Sequence, residues 1–465
     1  MSARSTAEAA RHAISGCLVL GVALWIGHSA AAVAQPGPPS PSERPAILFE
    51  NVRIFDGRNP TLSTPSHVLV KGNVIERIST TPIERAAETD VVVLPGAGRV
   101  LMPGLIDAHW HAMMVRPTPA MLLSSDIGYS TLLAGVEATA TLMRGFTTVR
   151  DLGGPSFSLK RAIDQGLLPG PRIYPSGAVI TITSGHGDFR QLSDLPRTIG
   201  GMLARVEQLG GSMIADSPDE VRMRVREQLM QGASQIKLTA GGGVASPFSP
   251  LDVSTFTAEE LRAAVEAAEN WATYVCTHAY TPAAIQRSIA AGVRCIEHGH
   301  LMDEPTARLM AERGIWLSTQ PFLDMSPAQG LGPAEQAKLR QVVEGTHNVY
   351  ALARKHRIKT AFGTDVLFSK ELAQRQGSML AALANWYTPA EALIMATSTN
   401  AELLNLSGPR NPYPGKLGVI EAGALADLLL VDGNPLENLL LVADPDRNFL
   451  VIMKDGGIYK NPLPP

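Results

Sequence analysis

His109-Trp110-His111 closes a short apolar run, Pro103-Gly104-Leu105-Ile106-Asp107-Ala108. In an extended strand, successive side chains face opposite ways, so residues two apart share a face. Two imidazoles so spaced can bind one metal ion together. Further ligands must come from elsewhere, and candidates stand in other apolar runs. Lys237 lies in Gln235-Ile236-Lys237-Leu238, and His278 in Cys276-Thr277-His278-Ala279. His298 lies in Ile296-Glu297-His298-Gly299-His300, and Asp365 ends Phe362-Gly363-Thr364-Asp365. Four imidazoles and a carboxylate suit Zn2+ or a similar divalent ion. Singly, each residue has an ordinary structural explanation: a core histidine, a tunnelled amine, a helix-capping aspartate. The joint pattern is what sets them apart.

The elements that must position them alternate along the chain. β-type apolar runs cover Leu105–His111, Gly145–Leu152, Arg172–Val179, Ser234–Thr239, Tyr274–Ala279, Val293–His298, Trp316–Gln320 and Lys359–Asp365. Helical stretches fall between many of them. Thr257-Ala258-Glu259-Glu260 is a capping-box pattern leading into Leu261–Trp271, and Pro305–Arg313 is a second helical stretch. Eight strands alternating with helices predict an α/β fold, a parallel (β/α)8 TIM barrel. Such barrels gather their functional residues at the C-terminal strand ends. Short alternating strands between Ala46 and Val100, with strand-like Leu425–Asp432 and Phe449–Met453, predict one composite β-sandwich from both terminal segments. The expected limits are 46–102 and 413–465 for the sandwich and 103–412 for the barrel. The stretch Leu323–Gly345, after the seventh strand, is placed to act as a lid.

Composition narrows the function. The 465 residues are 45% hydrophobic and 18% charged, with a formal net charge of -3, and no long Lys/Arg cluster occurs. A nucleic-acid partner is not expected. Arg4, Arg11 and His12 precede an apolar stretch from Ala13 to Ile26, followed by Ala32-Val33-Ala34. Residues 1–34 therefore read as a signal peptide cleaved after Ala34. This predicts an exported protein, periplasmic or secreted, with no stable membrane span after cleavage. The apolar stretch is short of the roughly 20 residues a span needs, and an uncleaved N-terminal anchor is the alternative. Residues 35–45 read as a Pro-rich linker. Cys276 and Cys295 lie in apolar runs and are expected to be buried free thiols.

The run Pro103–His111 resembles the strand-one signature of the amidohydrolase superfamily. Gly145-Phe146-Thr147-Thr148-Val149-Arg150-Asp151 resembles its second-strand segment. The segment from Gly418 to Leu428 resembles its returning sandwich segment, though the commoner form there is Lys-Gly-Ala-Asp-Leu. The resemblance extends from Ala46 to the C-terminus. It implies the same barrel and sandwich, with metal-dependent hydrolysis. A lysine on the fourth strand implies a binuclear centre in which that lysine is carboxylated. By this resemblance, His109, His111, Asp365 and the N6-carboxylysine at Lys237 hold the first of two divalent ions, most simply Zn2+. His278, His298 and the same carbamate hold the second. An unmodified Lys237 leaves room for one metal. Hydroxide bridging the metals then attacks the amide near neutral pH, and Asp365 shuttles its proton to the leaving amine.

Thr183–Arg190, Gln235–Gly243 and His278-Ala279-Tyr280 resemble one branch of that superfamily. The branch includes Xaa-Pro dipeptidases, carboxypeptidases acting on N-acyl amino acids, and ochratoxin-degrading enzymes. The implied substrate is a small amide or dipeptide whose leaving amine carries a free α-carboxylate. His186 would then meet the scissile carbonyl or the carboxylate. Tyr280 would meet the carboxylate or the tetrahedral intermediate, and Arg190 would clamp the carboxylate. His300 is expected to play a supporting part. Gly241-Gly242-Gly243 is no phosphate loop, since no Lys-Ser/Thr follows. A cyclic-amide hydrolase or deaminase of the imidazolonepropionase-like kind is the alternative reading. A non-catalytic binding protein is a remote one, because all six ligand positions are filled. Family resemblance also implies a homo-oligomer.

Overall fold

The computed structural model describes residues 44–84, 91–196, 201–325 and 331–463. The signal peptide expected at 1–34 and most of the 35–45 linker lie outside the described residues. Eight central strands match the eight apolar runs, and every adjacent pair is parallel. Leu105–Trp110, Phe146–Asp151 and Arg172–Pro175 form a three-stranded sheet. A seven-stranded sheet runs in the order 212–214, 179–181, 236–239, 275–279, 295–298, 316–319 and 360–362. Nearly every residue of these strands is buried, which is why they read as continuous apolar runs rather than alternating ones. Two backbone bonds run between segments that flank strands of the two sheets. Ser234 N–H donates to Pro175 O at 2.8 Å, and Asp365 N–H donates to His109 O at 2.8 Å.

The third run departs from its expected extent. The strand stops at Pro175, and Gly177 takes a positive φ of 74°. The chain then resumes as Val179–Thr181, which pairs with Ser212–Ile214, a short strand absent from the sequence reading. The helices start where their caps predict. The Thr257 hydroxyl accepts from Glu260 N–H, and the Glu260 carboxylate accepts from Thr257 N–H at 2.8 Å, opening the helix Ala258–Glu269. Asp303 caps Glu304–Glu312. The second half of the expected lid is a long helix, Pro333–His356.

The two chain ends build one further sheet. Val100–Pro103 pairs parallel to Ala46–Ile54 and antiparallel to Leu428–Val431, with Leu101 opposite Leu430. Phe449–Lys454 and Gly457–Lys460 extend it. Ala46–Ile54 is one strand with a register shift between Phe49 and Val52, where Asn51 takes a φ of 53°. This sheet has its own core of Phe49, Val52, Leu101, Leu428, Leu430 and Val451. Arg172 ties the two parts together, bonding Asp427 at 2.9 Å and Asp455 at 2.7 Å. Cys276 and Cys295 are buried free thiols, as expected. Among the described residues, no helix is long and apolar enough to cross a membrane.

Candidate metal centre

His109 sits near the end of the first parallel strand, against the exit of the last. Gly363 permits this approach, since a Cβ there would come within 2.5 Å of the His109 Cβ. The buried Asp107 carboxylate stitches the two strands, accepting from His109 N–H at 3.0 Å and from the Thr364 hydroxyl at 2.6 Å. His109 Nε2 then lies 3.2 Å from Asp365 Oδ1, and His111 Nε2 lies 3.0 Å from the same oxygen. His298 Nδ1 is 3.9 Å from Asp365 Oδ2. Ligand atoms of His109, His298 and Asp365 all fall within 4.8 Å of one another. Lys237 Nζ is 3.4 Å from His109 Nε2. The His278 ring packs 4.3 Å from the His298 ring, and its Nε2 lies 2.9 Å from Gly242 O.

Two of these residues leave their strands in a left-handed conformation, His298 at φ 78° and Asp365 at φ 52°. A positive φ is uncommon outside glycine and breaks strand alternation. Two neighbours, Glu297 and His298, therefore both serve the site. Glu297 Oε2 lies 2.9 Å from His109 Nδ1, and its other oxygen pairs with Arg150 at 2.7 Å. Gln320 connects the histidines, with Oε1 2.7 Å from His298 Nδ1 and Nε2 3.3 Å from His109 Nδ1. Neither Glu297 nor Gln320 was singled out from sequence. Each had a signal: Glu297 directly precedes a ligand candidate, and Gln320 closes the seventh predicted strand.

All six ligand candidates line one cavity of about 490 Å³, together with His186 and Tyr280. The His186 ring stacks on His278 at 4.3 Å, and its Nδ1 is 3.0 Å from Ser246 Oγ. Gly243 lies flat against the His186 ring, where a Cβ would come within 2.0 Å of Nδ1. Tyr280 packs edge-on to His278 at 4.8 Å and tilts over His298 at 5.0 Å. Leu339 and Val342, from the long helix after the seventh strand, also line the cavity. One turn earlier, Lys338 Nζ donates to the carbonyls of Gly243, Ser246 and Ser249 at 3.0, 2.8 and 3.1 Å.

Arg190 is not brought to this wall. Its guanidinium is taken up by Asp188, at 2.8 and 2.7 Å, and by the Thr183 hydroxyl at 3.0 Å. His300 turns away, with Nε2 3.0 Å from Gln320 O and its ring stacked on Phe322.

Burial sets the charge of several side chains at the site. Burial holds His278 and His298 well below the usual imidazole range, lowers His111, and brings His186 to about 3. These imidazoles are neutral at pH 7. Burial pushes Asp365 up, but His109 and His111 outweigh it and hold the carboxylate well below its usual range. Lys237 is buried at 3% exposure. Among the described residues, no carboxylate lies within ion-pair distance of it. Neutral imidazoles and an anionic oxygen on one wall fit a cation-binding site.

The amidohydrolase family pattern matches residues 100–459. Ochratoxinase of Aspergillus niger is 31% identical over 390 residues, spanning 78% of this chain and 76% of its own. A solved amidohydrolase structure is 37% identical with a TM-score of 0.82, covering 90% of this chain and 100% of its own. A prolidase solved with N-methylphosphonate-L-proline is 33% identical with a TM-score of 0.82, at the same coverage. With a site of buried imidazoles around a carboxylate, this chain belongs to the amidohydrolase family and is a hydrolase acting on carbon–nitrogen bonds.

Proposed function

We propose that this enzyme is a metal-dependent amidohydrolase that cleaves dipeptides or N-acyl amino acids, releasing an amine with a free α-carboxylate. The observation that carries the reading is the convergence of His109, His111, His278, His298, Lys237 and Asp365 on one cavity. Similarity to ochratoxinase and to a prolidase bound to a proline derivative supports the substrate class. On this reading the two parallel sheets act as one closed (β/α)8 barrel, with the terminal sheet as its composite sandwich. We also read residues 1–34 as an export signal, which N-terminal sequencing of the mature protein tests.

The residues that would hold two divalent ions, Zn2+ foremost, are His109, His111 and Asp365 for one and His278 and His298 for the other. Lys237, as a carbamate, would serve both. The burial of Lys237 on the same wall, with Nζ 3.4 Å from His109 Nε2, supports this. Bound there, such ions would make water acidic enough to be a nucleophile and polarise a carbonyl. The chain supplies the remainder. Asp365 takes the proton of the attacking water and returns it to the leaving nitrogen. His186 donates to the substrate. In the tautomer this role needs, Ser246 Oγ accepts from Gly187 N–H at 2.9 Å and donates to His186 Nδ1. That leaves the N–H of His186 on Nε2. Tyr280 bounds the space where the tetrahedral centre forms.

The test is a panel of N-acyl amino acids and Xaa-Pro dipeptides assayed with Zn2+ added. Hydrolysis of members of the panel, lost together with bound metal in the His109→Ala/His111→Ala variant, is expected. Activity on cyclic amides alone would overturn the reading.

A further inference from the structure

The metal cavity has an apolar annex. A smaller hollow of about 50 Å³ shares Met114, Pro119, Phe189, Gly211 and Phe368 with it. The far wall of this hollow comprises Leu122, Leu123, Ile127, Val206 and Leu209. Ser130 is the only polar side chain among its described lining residues. At the shared wall the Phe189 and Phe368 rings meet edge to face, 6.4 Å apart at 84°. Gly211 stands there as well, and a Cβ on it would come within 3.3 Å of Val206 Cγ2 and 3.7 Å of Met114 Cε. Its lack of a side chain leaves space between the two hollows.

The chemistry of the two spaces orients an amide between them. The carboxylate of the leaving amino acid needs hydrogen-bond donors or positive charge, and a buried anion without them is strongly disfavoured. Among its described lining residues the annex has no charged side chain and one hydroxyl, that of Ser130. The main cavity has the His186 imidazole and the metal-ligand cluster. The leaving amino acid therefore stays in the main cavity, and the acyl group is the part that can reach the annex. We infer that the annex is an acyl-side subsite that selects substrates with large apolar acyl groups. This inference rests on the amide-hydrolase reading above.

The experiment compares N-acetyl, N-hexanoyl, N-decanoyl and N-(2-naphthoyl) derivatives of L-proline and L-phenylalanine on the Zn2+-loaded enzyme. Each methylene that enters the annex is expected to raise kcat/KM about fourfold until the space is full. Leu122→Trp and, independently, Leu209→Phe narrow the annex without touching the metal cavity. Both should flatten the series while leaving turnover of the acetyl substrate unchanged. A flat series in the native enzyme, or an unaltered slope in both variants, overturns the subsite. If no member of the series is hydrolysed, the amide-hydrolase reading fails. The subsite is then judged by fluorescence titration with N-(2-naphthoyl)-L-proline. Binding at least tenfold tighter to the native protein than to the two variants upholds it, and equal binding overturns it.

Discussion

Glu297→Gln keeps the shape of a buried side chain and removes the charge that faces Arg150. Both side chains are fully buried, at 0% exposure. The other close polar partners of Arg150 are Ala108 O at 2.6 Å and the Tyr274 hydroxyl at 3.1 Å, and neither carries a formal charge. Breaking a buried pair from one side strands the remaining ion, at a cost of about 3–5 kcal/mol. Against a typical native stability of about 5–15 kcal/mol, that is a large fraction. A second effect follows from the other Glu297 oxygen, 2.9 Å from His109 Nδ1. Partners that orient a metal-ligating histidine change metal affinity by about 10–100-fold. Equilibrium urea denaturation of the metal-free protein reads the first effect, and metal titration reads the second. The joint variant Arg150→Met/Glu297→Leu removes both charges, so it should recover part of the lost stability but not the metal affinity. The reasoning is refuted if Glu297→Gln lies within about 0.5 kcal/mol of native, the usual range of inconsequential substitutions. It is equally refuted if the joint variant is no more stable than the single one.

Gly243→Ala should displace the His186 ring, since the new Cβ would come within 2.0 Å of Nδ1. Misplacing a positioned group by about 1 Å costs about 100-fold in rate, so kcat/KM should fall that far with thermal stability retained. Lys338→Met removes three bonds from the loop that holds His186. Because this ammonium is partly exposed, we expect a loss of about tenfold in kcat/KM, and none in a His186→Ala background. Asp455 is pushed up by burial but held below 3.8 by Arg172, so its contribution to stability is complete above 3.8 and fades as the pH falls toward the lowered value. Asp455→Asn should therefore be about 1 kcal/mol less stable than native at neutral pH, with the gap closing below pH 3.8 in urea titrations.

Strand periodicity and strand ends carried much of the site. His109 and His111 share a face because they are two apart, and Lys237, His278 and His298 stand in or at the ends of recognisable apolar runs. What stayed hidden depends on single backbone angles and on pairings across the fold. Alternation places Glu297 opposite His298, yet the positive φ at His298 brings both to His109. Arg190 pairs with Asp188 only two residues away, in a tight turn that no periodicity announces. Lys338 lies 92 residues from Ser246, and nothing local to either residue announces that bond. The strands 179–181 and 212–214 are three residues each, too short for a pattern to emerge.

The terminal sheet carries a consequence for how the chain is made. Val100–Pro103 finds its antiparallel partner at Leu428–Val431, more than 300 residues later. A chain emerging from the ribosome has its barrel segments available long before that partner exists. Until then the edge of Val100–Pro103 that faces away from Ala46–Ile54 stays unpaired on a nascent molecule. Contacts so distant in sequence close late and slowly. The last forty residues thus act as the latch of the whole molecule, and truncations there should yield nascent chains that depend on chaperones rather than merely less stable enzymes.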